Sequence, residues 1–330
     1  MPSRREPAKA ATQPRLGPPP KLRRVLVPLD GSRLAEASLP IVARLADLSG
    51  ATIVLLHVLE RRGATTVHGE RHLSGPDEAA AYLAGVAARL QRQGAQGSQG
   101  AARQTECHTH DVPVADVAES IAVHAEEHAI DMVVLSTHGE SGIRDALWGS
   151  IAQQVAQRLT CPVLLVRVPP GAEPPATEFD PRTIMVPLDG TLAAEAALPH
   201  ALALAGGLNA SLRLVFVVPT VDTVSVEQMA SATFMPGASR LVLDVAEEQA
   251  HQYLAGLTAV TSARGVRTIP EVRRGEAVTQ LATDAGEHAD GLVVIATHGR
   301  AGLQAIWSRS VAARLLRRTD APILLVPIIE

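Results

Sequence analysis

The sequence predicts an α/β protein of two tandem, doubly wound domains, each built on a five-stranded parallel sheet. Three observations predict it: a length suited to two domains, an internal repeat, and strand-length apolar runs alternating with helical patterns. The chain has 330 residues, and about 150 residues per domain makes that two. Arg24-Val-Leu-Val-Pro-Leu-Asp30-Gly-Ser returns as Thr183-Ile-Met-Val-Pro-Leu-Asp189-Gly-Thr. Asp131-Met-Val-Val-Leu-Ser-Thr-His138-Gly returns as Gly291-Leu-Val-Val-Ile-Ala-Thr-His298-Gly, and Cys161-Pro-Val-Leu-Leu-Val as Ala321-Pro-Ile-Leu-Leu-Val. So long a period marks a duplicated domain rather than a solenoid.

The elements follow in chain order. Residues 1–21 form a basic, proline-bearing tail, expected to be disordered, without the apolar stretch of a secretory signal. Through residue 24, seven basic residues face only Glu6, a net of +6 within an overall charge of −4. In the first domain, 22–168, strands are expected near 23–29, 52–58, 105–110, 131–136 and 162–167. These runs are nearly unbroken Val, Ile and Leu, as in parallel strands buried on both faces. Between the first two, Leu34, Ser38, Ile41, Leu45 and Leu48 make one helical stripe. Ser32 serves as N-cap, Gly50 as the stop, and Pro40 as a kink. Further helices are expected near 77–92, 114–128 and 149–159. Five prolines between Val168 and Pro181 make 169–181 a stiff linker. The second domain, 182–330, repeats the pattern. Right-handed strand–helix crossovers give each copy a Rossmann-like sheet. Leu164-Leu-Val and Leu324-Leu-Val end their copies as edge strands, and the two copies are expected to pair there as an intrachain pseudo-dimer, with a homodimer as a further option.

Composition excludes several functions. Hydrophobic residues at 46% and charged residues at 19% rule out a disordered chain. No run of about 18 apolar residues occurs, so no membrane-spanning helix is expected. Aromatic residues are only 2%, too few for stacking nucleic-acid bases, and the negative net charge argues against phosphate-backbone binding. Two cysteines give no disulfide framework, which points to a cytoplasmic setting.

Ligands of open α/β sheets sit at the carboxyl ends of strands, where strand order reverses. Pro28-Leu-Asp30-Gly31 stands at one such end and Ser136-Thr-His-Gly139 at another, running on to Gly149-Ser150 at a helix start. Glycine permits close backbone approach, and amides of Gly149, Ser150 and Ile151 would converge on an anion. With Leu-Leu-His57-Val58 ending the second strand, these motifs resemble the universal stress protein family in its tandem form. ATP-binding members carry Gly, two residues, Gly, nine residues, then Gly and Ser or Thr. Here Ser136 replaces the first glycine and the spacing through Gly139 to Gly149-Ser150 is intact. The resemblance implies a stress-response regulator that binds ATP, with or without Mg2+. Pro28, Asp30 and Val58 would surround the adenosine; Leu135, Ser136 and Gly139 would line ribose and phosphates; Gly149, Ser150 and Ile151 would hold the phosphates. The second copy reads Ala296, Gly299, then Arg309-Ser310, and Arg309 is expected to obstruct its cradle.

No catalytic set is evident: there is no Gly-Lys-Ser/Thr loop and no Gly-x-Ser-x-Gly elbow. Weak ATP hydrolysis or autophosphorylation, and a nucleotide-free scaffold with an unknown regulatory partner, stand as alternatives. Twelve histidines invite metal readings. His124-Ala-Glu-Glu127-His128 fits an inverted zinc-protease pattern, but no third ligand is evident, so it reads as a solvated helix end. Cys107-His108-Thr-His110 reads as chance, and no metal site is expected.

Overall fold

A computed structural model describes residues 16–60, 66–67, 70–71, 73, 75–96, 102–112, 116–138, 150–168, 179–220, 236–288, 290–298 and 310–328. Its first half carries β1 (Arg24–Pro28), β2 (Thr52–Glu60), a small hairpin of β3 (Thr66–Val67) and β4 (Glu70–Arg71), β5 (Thr105–Val112), β6 (Met132–His138) and β7 (Val163–Val168). The second half carries β8 (Thr183–Leu188), β9 (Ser211–Val218), β10 (Thr268–Arg274), β11 (Leu292–His298) and β12 (Ile323–Ile328). Apart from the hairpin, which no sequence pattern had announced, the strands form one ten-stranded sheet ordered β10-β9-β8-β11-β12-β7-β6-β1-β2-β5.

In the ten-stranded sheet every pairing within a half is parallel, and the halves join antiparallel through β7 and β12. There Leu165 faces Ile323, Leu164 faces Leu324, and Val163 faces Leu325. All six side chains are at most 2% exposed, so the two edge ladders satisfy each other in a dry seam. Arg167 reinforces it, donating to the Thr319 carbonyl at 3.1 Å and lying 3.2 Å from Asp320.

Strand side chains alternate between two cores. Val25 and Val27 enter one, under α2 (Leu39–Ser49), α3 (Pro76–Gln96), α7 (Leu198–Leu208) and α8 (Pro236–Ser262). Leu26, Val54 and Leu56 enter the other, under α4 (Val117–Glu127), α5 (Ser150–Arg158), α9 (Ala277–Glu287) and α10 (Val311–Leu316). Helices on both faces leave the inner strands no solvent side, which is why polar alternation is missing from them, whereas the edge strand β5 exposes Cys107, Thr109 and Asp111.

Pro40 does not kink a helix. The stretch breaks into α1 (Arg33–Glu36) and α2, and Pro40 stands in the first turn of α2. A first-turn amide has no intrahelical acceptor, so proline costs nothing there. The second copy repeats the break as α6 (Leu192–Glu195) and α7, with Pro199 in the same turn. Ser32 does cap α1, its hydroxyl accepting from the Ala35 amide at 3.2 Å. Gly50 ends α2 with φ of 71°, in the left-handed region that glycine enters most easily.

Candidate functional site

In the first half the strands run β5-β2-β1-β6-β7. The chain moves outward from β1 through β2 to β5, then returns to β6 on the other flank of β1. Order therefore reverses between β1 and β6, which are parallel neighbours, Val25 against Met132 and Leu26 against Val133. Their carboxyl ends bring Pro28–Gly31 beside Ser136–His138.

The loop after β1 is held in one shape. The Asp30 carboxylate accepts from the Ser32 amide at 2.9 Å and the Ser32 hydroxyl at 2.6 Å. That Asx turn fixes the carboxylate at the crevice while Ser32 starts α1. Gly31 has φ of 91°, and a Cβ there would lie 2.9 Å from Leu73 Cγ. Both facts require glycine. Ser136 Oγ lies 3.3 Å from the Ala35 carbonyl, tying β6 to the end of α1.

His57, part of the second-strand motif, underlies this loop. It is 1% exposed, with Nδ1 2.7 Å from the Leu29 carbonyl and Nε2 3.2 Å from the Leu73 carbonyl. It thus clamps the residue before Asp30 to the segment that covers Gly31. Its cue was a polar residue ending an otherwise apolar strand. Behind the loop, Glu36 of α1 accepts from the Tyr82 hydroxyl at 2.9 Å and from Arg89. Burial, then the Glu36 charge, pushes the Tyr82 phenol upward, so it stays a donor.

Of the expected site residues, Pro28, Asp30, Leu135 and Ser136 border the crevice by strand position. Val58 extends β2 beyond the end of β1, where Pro28 pairs with Leu56, and is 7% exposed. Ser150 opens α5, and Ile151 in its first turn is 44% exposed. Gly139 and Gly149 lie outside the described residues, as do Gly299 and Arg309 of the second copy. Asp189 repeats the Asx turn, accepting from the Thr191 amide at 3.0 Å and hydroxyl at 2.6 Å. Ser310 spends its hydroxyl capping α10, accepting from the Ala313 amide at 3.1 Å.

The histidine readings need correction. His124 is no solvated helix end: it is 4% exposed, and His108 reaches it from β5, the two nitrogens 2.8 Å apart. Cys107 is exposed on that strand.

The model for "Universal stress protein family" matches residues 21–167 and again 181–327. The chain belongs to the universal stress protein family. Universal stress protein YxiE of Bacillus subtilis (strain 168) is 27% identical over 148 residues, 44% of this chain and 98% of that protein. Universal stress protein MJ0531 of Methanocaldococcus jannaschii is 24% identical over 145 residues, 44% of this chain and 81% of that protein. Each of these relatives thus answers to less than half of the present tandem. Across both domains, a putative universal stress protein from Pseudomonas aeruginosa UCBPP-PA14 superposes with a TM-score of 0.62 at 15% identity, covering 93% of each chain. A universal stress protein from Archaeoglobus fulgidus DSM 4304 gives 0.59 at 17% identity, covering 92% of this chain and 98% of that one. At such identities these two structures speak for the fold alone: two universal stress protein domains of Rossmann-like α/β type in tandem. Among the described residues no helix is long and apolar enough to cross a membrane.

Proposed function

We propose that this universal stress protein is a cytoplasmic stress-response regulator that binds ATP in the crevice of its first domain, 22–168. The observation that carries the reading is the reversal of strand order between β1 and β6. It sets the Asp30 loop against the Ser136 strand end, at the position where open α/β sheets take ligands. The residues fit a nucleoside. Asp30, held by its Asx turn, would accept from ribose hydroxyls or an adenine amine, and Gly31 would keep the wall free of a side chain. Amides at the start of α5, with Gly149 before it, would supply donors to phosphate, with Mg2+ as an optional neutralising ion. In the second domain, 182–330, the degenerate Arg309-Ser310 pair replaces Gly149-Ser150, so occupancy belongs to the first domain. The linker, 169–181, keeps the two copies in one regulatory unit.

Acid extraction of the purified full chain, followed by chromatography of the released nucleotide, tests this. The wild type should release up to one adenine nucleotide per chain. Asp30→Ala and Gly149→Arg should release none while remaining folded, and Asp189→Ala should match the wild type. Empty wild-type protein that also gives no heat on titration with ATP, or loss only in Asp189→Ala, refutes the proposal.

A further inference from the structure

We infer that His108, His124 and His128 form a binding site for a zinc-class divalent ion, on the face of the first domain where β5 meets α4. It lies apart from the nucleotide crevice and does not depend on it. Helical spacing puts His124 and His128 one turn apart on one face of α4, and period two puts His108 and His110 on one face of β5. α4 covers that face. The His124 and His128 rings stand 4.1 Å apart between centroids, and His108 lies 4.9 and 4.7 Å from them. One ring nitrogen from each of the three lies within 4.8 Å of the others.

The surroundings prepare these rings as ligands. Glu106 stands 3.3 Å from His108 Nε2 while binding Arg24 at 2.7 and 3.0 Å. A carboxylate there favours the proton on Nε2 and turns the Nδ1 lone pair of His108 inward, the usual outer support of a metal-bound histidine. His124 is buried at 4% exposure and meets His108 across the strand–helix contact. The 2.8 Å between His108 Nδ1 and His124 Nε2 is short of the roughly 3.3 Å between ligands of a tetrahedral Zn2+ with bonds of about 2.0–2.1 Å. A small ring rotation opens the pair and exchanges one N–H for the ion. Half-buried His108 and His128 leave the fourth position to water. Imidazole donors select Zn2+, Cu2+ or Ni2+ over Mg2+ and Ca2+, which require oxygen ligands.

The twin domain shows what this location otherwise contains. Strand register equates Thr105 with Thr268, hence His108 with Glu271 and His110 with Arg273; the repeat equates His124 with Asp284 and His128 with His288. Asp284, Glu287 and His288 also converge, but Arg213 and Arg273 already neutralise Asp284 at 2.5 and 2.7 Å. In that copy the desolvated groups are matched by ion pairs. In the first copy three imidazoles meet, and a divalent ion is the group that would use all three lone pairs.

The test uses the untagged full chain, stripped with a chelator. Titration with Co2+ should give the visible bands of a four-coordinate site at one equivalent, displaced by Zn2+. His124→Gln and His128→Gln should abolish the bands, Glu106→Gln should weaken binding roughly 10- to 100-fold, and Asp30→Ala should leave it unchanged. X-ray absorption of the Zn2+-loaded wild type, which needs no variant to fold, should show three imidazole nitrogens. Wild-type binding no tighter than that of the triple variant His108→Gln/His124→Gln/His128→Gln, or fewer than three imidazoles at the ion, overturns the inference.

Discussion

Asp284→Asn tests whether ion pairing holds the outer face of the second domain. The Asp284 side chain is 1% exposed and its Oδ1 takes both Arg213 and Arg273. Asparagine keeps the shape and one acceptor oxygen but removes the charge. Breaking a buried pair from one side costs about 3–5 kcal/mol, because the partner charge stays desolvated. Here neither guanidinium is abandoned: both contact Glu271, and Arg273 also reaches Glu287 at 2.7 Å. The loss should therefore fall near the lower end, about 3 kcal/mol. Urea unfolding of the full chain at pH 7, followed by circular dichroism, measures it. Arg213→Val supplies the second arm of a double-mutant cycle, since the equivalent first-domain residue is the fully buried Val54. Contacting charges should couple by more than about 1 kcal/mol. A single-variant loss below about 1 kcal/mol, or strict additivity, would refute this network as a stabilising tie of α9 to β9 and β10.

Two further outcomes are expected. Glu276 caps α9: burial opposes its ionisation, but the Thr279 hydroxyl and amide, the Val278 amide and Arg314 outweigh that and hold the carboxyl at about 2. A lowered acid stabilises above its unfolded value near 4.3 and loses the effect as pH falls toward 2. With 37% side-chain exposure, Glu276→Gln should cost only about 1 kcal/mol at pH 7, and the gap in urea midpoint between variant and wild type should narrow from about pH 4 and close only near pH 2; a gap that does not narrow as pH falls contradicts the cap. Leu324→Ala at the seam, a fully buried position facing Leu164, should cost about 2–5 kcal/mol. Hydrogen exchange should then rise in both β7 and β12; faster exchange confined to β12 would show that the seam does not couple the halves.

The architecture was legible because burial on both faces writes strands as uninterrupted Val, Ile and Leu. It was also legible because a repeat near 160 residues shows each element twice. The crevice was legible for a topological reason: once five parallel strands alternate with helices, reversal beside β1 is the expected place for a ligand. Pro40 misled because a proline in a continuous apolar stripe looks like a kink, whereas the register of α1 and α2 is broken by a turn at Ala37–Ser38. The β3–β4 hairpin has two residues per strand, too few for any period to declare itself. His108 and His124 stand 16 positions apart in the chain, so the third ligand missing from the His124–His128 pattern is supplied only by the fold. Period two on β5 was the missed clue, since it aligns His108 with His110 toward the helix that carries His124. The clamp made by His57 is not written in the apolar pattern of its strand, because its two carbonyl contacts arise only when the segments at Leu29 and Leu73 meet over it.

Duplication explains how one location came to carry two chemistries. The space between the outer strand and its covering helix must accommodate whatever polar groups the sequence buries there, in either copy. Asp284 with two arginines meets that demand from within the protein, through contacts of 2.5 and 2.7 Å. Converging imidazoles meet it conditionally, because imidazole is also a metal ligand. The tie between β5 and α4 therefore depends on what the solution supplies, while the tie between β10 and α9 does not. Because β7 and β12 join both halves in one sheet, ordering β5 against α4 acts on a structure whose other half is already fixed. An ion binding at His108, His124 and His128 should then stabilise the first domain selectively, and the Asp284 network is the internal standard against which that selectivity is measured.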